Sequence, residues 1–254
     1  MKLQEYIYGC ILFLGIAYIF TMFNNKAEGF KADISKTYIF YHIYCNKNTY
    51  DIVEEQTSTI LSSGLYNTTD AIYCCLVGDP KYIATIKVHL KGLGEKFTIL
   101  AEGPNDTTYE RFTLEKIKKN IQDADKFLYI HTKGVGKPKN RAVDLWRKWM
   151  QYFLIENHKV CLDYLDYYDI IGVGYKVDIP HLGKVVGPHF SGNFWWSTGA
   201  YYKRLPDIIG EHYNDPESYI FLANPKWKDL DEGRITNEQS IYLIEIDPDS
   251  YMVE

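Results

Sequence analysis

The chain has 254 residues, a formal net charge of −5 and an isoelectric point near 5.8. That length admits one large domain or two small ones, and the acidic balance removes the broad electrostatic footprint of a nucleic-acid-binding protein. Five cysteines without metal-ligand spacing imply no zinc site.

Residues 7–23 are apolar apart from Thr21, at the short end of what crosses a bilayer as a helix. Lys2 stands on one side and Lys26 and Lys31 on the other, so loop charge barely discriminates orientation, and no small-residue cleavage pattern follows. The expectation is an uncleaved single-pass anchor with a short stem over 1–32, a membrane localisation, and a single α/β domain over 33–254. Two glycosylation acceptor patterns, Asn67-Thr68-Thr69 and Asn105-Asp106-Thr107, matter only on a lumenal or external face.

From residue 36 the chain alternates. A β-rich run over 36–44 is followed by helical spacing of Ile52, Val53, Ile60 and Leu61, stopped by Gly64. A strand over 71–77 closes at Gly78-Asp79-Pro80, a short helix spans 81–90, and a third strand spans 97–100. Thr113 is placed to cap a helix over 114–121, a strand follows over 126–130, a long amphipathic helix over 143–165 carries Trp146 and Trp149, and a strand spans 169–173. Beyond Val186 clean strands are few, and helices are expected over 198–205 and 216–222. This order indicates an α/β fold, a mostly parallel sheet with helices on both faces. Right-handed crossovers then gather the strand-end loops on one edge, where His42, Glu102, His131 and Lys133 can converge.

Two segments carry chemistry. The strand ending at Ile130 runs directly into His131-Thr132-Lys133-Gly134-Val135-Gly136-Lys137. Ligands bind beyond the carboxyl ends of such strands, so an imidazole, a hydroxyl and an ammonium between glycines suggest an anion or phosphate pocket. The blander reading is a solvated basic loop. The second segment, His189-Phe190-Ser191-Gly192-Asn193-Phe194-Trp195-Trp196, combines hydrogen-bonding groups with two adjacent indoles, the mixture of stacking face and polar rim that a sugar ring wants. Here the alternative is a tryptophan-rich core turn.

Together these residues resemble glycosyltransferase-like proteins of the nucleotide-diphosphate-sugar type, with the GT-A (Rossmann-like) fold, found in polysaccharide and viral glycan pathways. The resemblance rests on His42-Ile43-Tyr44, Ser63-Gly64-Leu65-Tyr66, Tyr129-Ile130-His131-Thr132-Lys133-Gly134, Trp146-Arg147 and the segment from His189 to Trp196, and spans residues 37–223. It implies a nucleotide-sugar donor and a glycan acceptor. One departure concerns the metal. Many GT-A enzymes hold Mn²⁺ or Mg²⁺ through an Asp-x-Asp motif just after a strand, whereas Asp123-Ala124-Asp125 precedes its strand and reads better as a polar turn. Asp247-Pro248-Asp249 lies in the tail, without strand context. A divalent cation therefore lacks motif support, and Lys133 can do its electrostatic work on the leaving diphosphate.

The expected donor pocket is His42, Glu102, His131, Thr132 and Lys133. Lys133 and His131 hold the diphosphate and stabilise its departure, and Glu217 removes the acceptor's proton, with Asp215 beside it and Glu102 in reserve. A helix-start charge that complements the macrodipole is the blander role for Glu217. His189, Ser191, Asn193, Trp195 and Trp196 form the expected acceptor side. Competing functions are a non-catalytic membrane-tethered glycan-binding module and, more weakly, a phosphotransferase, which lacks the P-loop spacing.

Overall fold

Seven strands, each only three to nine residues long, form the sheet on which everything else hangs. The computed structural model describes residues 35–104, 109–177, 179–181, 184–234 and 243–252. The strands are β1 (Thr37–Cys45), β2 (Ala71–Gly78), β3 (Phe97–Gly103), β4 (Lys126–His131), β5 (Ile170–Gly172), β6 (Trp195–Thr198) and β7 (Trp227–Asp229), in the order 7-5-6-4-1-2-3. Strands β1 to β4 pair in parallel, β6 runs antiparallel to both β4 and β5, and β7 is parallel to β5. The α/β class and mostly parallel sheet expected from the alternation are present.

The central strands are near-continuous apolar runs because both sheet faces are covered. Side chains alternate between faces, so Ile39, Tyr41 and Ile43 enter one core and Tyr38 and Phe40 the other. The covering helices are α1 (Thr49–Ser62), α2 (Pro80–Leu93), α3 (Arg111–Ile117), α4 (Arg141–Gln151) and α5 (His158–Tyr164). Asp79 accepts from the Lys81 backbone N–H and caps α2, and Asn140 caps α4 through Ala142.

Three expectations are corrected. The long helix over 143–165 is broken into α4, a π-helical turn at Tyr152–Glu156 and α5. The Asn157 side chain and backbone N–H both donate to the Tyr152 carbonyl, at 2.9 and 3.0 Å, and so end the regular ladder. Helix α3 starts earlier than expected: the Thr113 and Leu114 N–H groups donate to the Glu110 carbonyl at 3.0 and 3.1 Å, which leaves Thr113 inside the helix and not at its cap. Finally, among the described residues no helix is long and apolar enough to cross a membrane. That corrects the expected single-pass localisation, whose span, 7–23, lies outside the described residues, as do the rest of 1–32 and Asn105-Asp106-Thr107.

The described cysteines, Cys45, Cys74, Cys75 and Cys161, are buried and free. Burial pushes their thiols up, so they act as core filling.

Candidate functional site

From β1 the chain crosses to β2 and β3 on one side, and β4 then returns to the other side of β1. The sheet order reverses between these two neighbours, and ligands of open α/β sheets lodge outside the carboxyl ends at such a point. The last ladder pair there is His42 with His131. Beyond it the Thr132 backbone N–H donates to the His42 carbonyl at 3.1 Å, and the Tyr44 N–H donates to the Thr132 hydroxyl at 3.0 Å. Thr132 thus fastens the two strand ends together.

The loop that follows is held from several sides. Asn46 and Asn48 donate to the Val135 carbonyl at 3.0 and 3.2 Å, and Val135 and Lys137 close turns onto Thr132 and Gly134. Gly134 has φ +89, and a Cβ there would lie 2.7 Å from the Val143 side chain, so this turn requires glycine. Arg147 Nη1 donates to the Lys133 carbonyl at 3.0 Å, while its Nε and Nη2 grip both oxygens of Glu55 at 2.8 and 2.9 Å. Burial alone would raise the Glu55 carboxyl, but hydrogen bonds and charge from Arg147 outweigh it and leave the group below its ordinary value. Arg147 is therefore a brace beneath the loop. The Lys133 ammonium stands 4.3 Å from the Trp146 ring centroid, a cation–π geometry.

Between the strand ends, this loop and the turn at residues 213–217 lies a cavity of about 320 Å³. His42, His131, Thr132, Lys133, Glu110 and Glu217 all line it. Its volume falls at the lower end of the range for ligand sites, and its polar groups converge. A groove of about 810 Å³ continues along α1 and α4 past Lys47, Lys139 and Lys148. A hollow of about 860 Å³ beside Lys87, Leu90 and Phe97 lacks such convergent groups.

Both histidines in the cavity are neutral at pH 7. Burial, reinforced by the nearby Lys133, brings His131 down to about 3, and burial brings His42 down to about 4. His131 Nε2 lies 2.8 Å from the Gly192 carbonyl, which only accepts, so the ring proton sits on Nε2 and Nδ1 is an acceptor. His42 Nδ1 pairs with the Thr113 hydroxyl at 2.8 Å. Burial disfavours the imidazolium, so His131 presents a neutral ring to whatever occupies the cavity at pH 7.

The model for a domain of unknown function, DUF8361, matches residues 40–230. The chain belongs to the DUF8361 family. No curated protein matches it in sequence. Among solved structures it is similar to 4-diphosphocytidyl-2C-methyl-D-erythritol synthase from Anaerococcus prevotii, at 11% identity and TM-score 0.44, covering 77% of this chain and 88% of that one. A second structure of a synthase of that name gives 8% identity and TM-score 0.38, covering 74% and 85%. Likeness this distant bears on neither substrate nor reaction.

The DUF8361 match contains every residue that lines the cavity, from His42 to Glu217. Of the expected donor residues, His42, His131, Thr132 and Lys133 are brought together, and Glu217 joins them. Glu102 does not, because it forms an ion pair with Lys87 on the surface of β3. The expected acceptor side is corrected more deeply. Trp195 and Trp196 are neighbours on β6 and face opposite cores; Trp195 stacks on Tyr129 at 5.0 Å, and the Trp196 indole donates to the Leu154 carbonyl at 2.8 Å. Neither ring face is open to a sugar, which removes the support for a glycan-binding module.

His189 and Ser191 are also buried away from the cavity lining, His189 pairing with Lys176 across a short ladder and Ser191 N–H donating to the Gly174 carbonyl. Asn193 is buried and contributes through Glu110, which sequence reasoning missed. Starting α3 at its true beginning would have flagged Glu110, an acid that enters a helix just after a strand's carboxyl end.

Asp125 accepts from the Lys36 and Gln122 backbone N–H groups at 3.1 and 2.6 Å, and Asp123 pairs with Lys203 at 2.8 Å. Both lie at the entry to β4, the end of the strand away from the cavity. Asp247 caps a short turn through the Asp249 N–H. Among the described residues no cluster of three or more His, Cys, Asp or Glu is arranged to hold a metal.

Proposed function

We propose that this DUF8361 protein is a glycosyltransferase that takes a nucleoside-diphosphate sugar in the cavity beside His131 and transfers the sugar to a hydroxyl-bearing acceptor, such as a glycan. The observation that carries this reading is the His42–His131 pairing at the switch point, which sets Lys133 and the glycine-bearing loop against Glu110 and Glu217 around one space. A diphosphate fits the loop side, where Lys133 and Lys137 supply positive charge. The carboxylates opposite suit a sugar or acceptor hydroxyl. The resemblance of the strand-end motifs to GT-A enzymes supports the same donor class.

A thermal-shift screen of the full chain against UDP-glucose, UDP-N-acetylglucosamine and GDP-mannose, with and without Mn²⁺, tests the donor class, since a ligand that binds the native state raises its melting temperature. Stabilisation by a nucleotide sugar is the expected result, and the Mn²⁺ arm reads the metal requirement directly. Lys133→Met keeps an unbranched side chain over Trp146 but removes the cation. It is expected to cut turnover of that donor by about 100-fold or more while the unliganded melting temperature stays close to the parent's. Parental turnover in this variant would rule Lys133 out as the diphosphate's partner.

A further inference from the structure

Glu110 is the most tightly organised acid in the cavity. Its Oε2 accepts from the Tyr129 hydroxyl at 2.9 Å and from Asn193 Nδ2 at 2.5 Å. Asn193 sits in the left-handed region, φ +57, and its own Oδ1 accepts from Trp195 Nε1 at 2.8 Å. A line of donors therefore runs from the buried indole through the amide to the carboxylate. It fixes one oxygen and leaves the other, Oε1, 3.7 Å from His131 Nδ1. That separation is too long for a direct hydrogen bond. Because His131 Nε2 is committed to Gly192, two acceptors border the same space, an arrangement suited to a molecule that brings O–H groups. The Glu110 side chain is 18% exposed, so it is accessible yet desolvated on most sides. Glu217 also lines the cavity but has no comparable brace among the described residues.

We propose that Glu110, and not Glu217, is the general base of the transfer, with Asn193 and Tyr129 as positioning residues and Trp195 holding Asn193 in place; this rests on the glycosyltransferase reading above. In the step, the acceptor O–H gives its proton to Glu110 Oε1. The freed oxygen pair forms the bond to the anomeric carbon, and the bond from that carbon to the diphosphate oxygen breaks, its electron pair leaving on the nucleoside diphosphate beside Lys133. Protonated Glu110 then returns its proton to solvent. Single displacement of this kind inverts the anomeric configuration. It also gives the polar and aromatic residues before β6 a role without any ring stacking on sugar.

The experiment uses the full chain, UDP-glucose, UDP-N-acetylglucosamine and GDP-mannose as donors and water as acceptor, with released nucleoside diphosphate as the readout. Glu110→Gln is expected to lower kcat by about 100-fold or more and to leave thermal stabilisation by the same donor unchanged. Tyr129→Phe and Asn193→Ala are expected to lower kcat by about 10- to 100-fold with KM nearly constant. Should Glu110→Gln fail to fold, Glu110→Asp keeps the charge, retracts the oxygens, and is expected to turn over the same donor at reduced kcat with donor stabilisation unchanged. Near-parental kcat in Glu110→Gln overturns the base assignment and leaves the transferase standing. Loss of donor binding together with kcat also overturns it, by placing Glu110 in the donor site. No turnover of any nucleotide sugar by the parent overturns both readings.

Discussion

Mild acid is expected to unfold this protein steeply. His42 and His131 lie at about 4 and about 3 in the folded state because burial disfavours their charged forms. Both return to the ordinary histidine value of about 6.5 when the chain unfolds. Between those limits the unfolded chain binds more protons than the folded one, so stability is fully present above about pH 6.5 and is lost as the pH falls. Two such groups give a slope of roughly 2 to 3 kcal/mol per pH unit around pH 5, a large fraction of a typical domain's stability. Urea unfolding at pH 7, 6 and 5 checks this. His131→Gln, whose amide can still donate toward Gly192, is expected to be less stable at pH 7 and to show a shallower pH dependence. Equal unfolding free energies at pH 7 and pH 5 would defeat the account.

Removing the Arg147 guanidinium is the second large effect. Arg147→Leu is expected to cost about 3–5 kcal/mol, the range for breaking one side of a buried ion pair. The variant strands the Glu55 carboxylate, which also accepts from Gln151 at 2.7 Å, and leaves the Lys133 carbonyl without its Nη1 donor. Asp144, 3.0 Å from Nη2, loses a neighbour as well. The double variant Arg147→Leu, Glu55→Leu is expected to recover part of the loss, because an uncompensated charge costs more than an absent pair. Arg147→Lys is expected to fall between the two, since an ammonium keeps the charge but cannot grip both Glu55 oxygens and the loop carbonyl at once. Denaturant midpoints measure all three.

Much of the sheet was legible because its strands are apolar runs closed by glycine, proline or polar residues, and β1, β2 and β4 fall within a residue or two of their expected spans. Parallel crossovers also made the meeting of His42, His131 and Lys133 a matter of topology. Glu102 failed because ending a strand on the correct edge does not fix where a side chain turns, and Lys87 on α2 claims it. Strand β6 was hidden by its neighbours: four residues after a Gly-Asn pair read as the end of an aromatic turn running into a helix at residue 198, and only the pairing with β4 and β5 makes them a strand. The same pairing explains why the adjacent indoles misled. Period-two alternation sends them into separate cores, and their composition alone resembles a sugar platform. Glu110 escaped notice because the helix after it was expected only from residue 114, and its partners, Tyr129 and Asn193, are 19 and 83 positions away.

The late arrival of β6 has a consequence for how the chain is made. Until the ribosome has released residues 195–198, the outer edge of β4 has no strand beside it, and β5 cannot join the sheet except through β6. An open edge that carries Phe127 and Tyr129 invites pairing with another nascent chain. Productive folding of the first half therefore depends on how soon the last third follows, and a stalled or truncated translation product would be a target for chaperones.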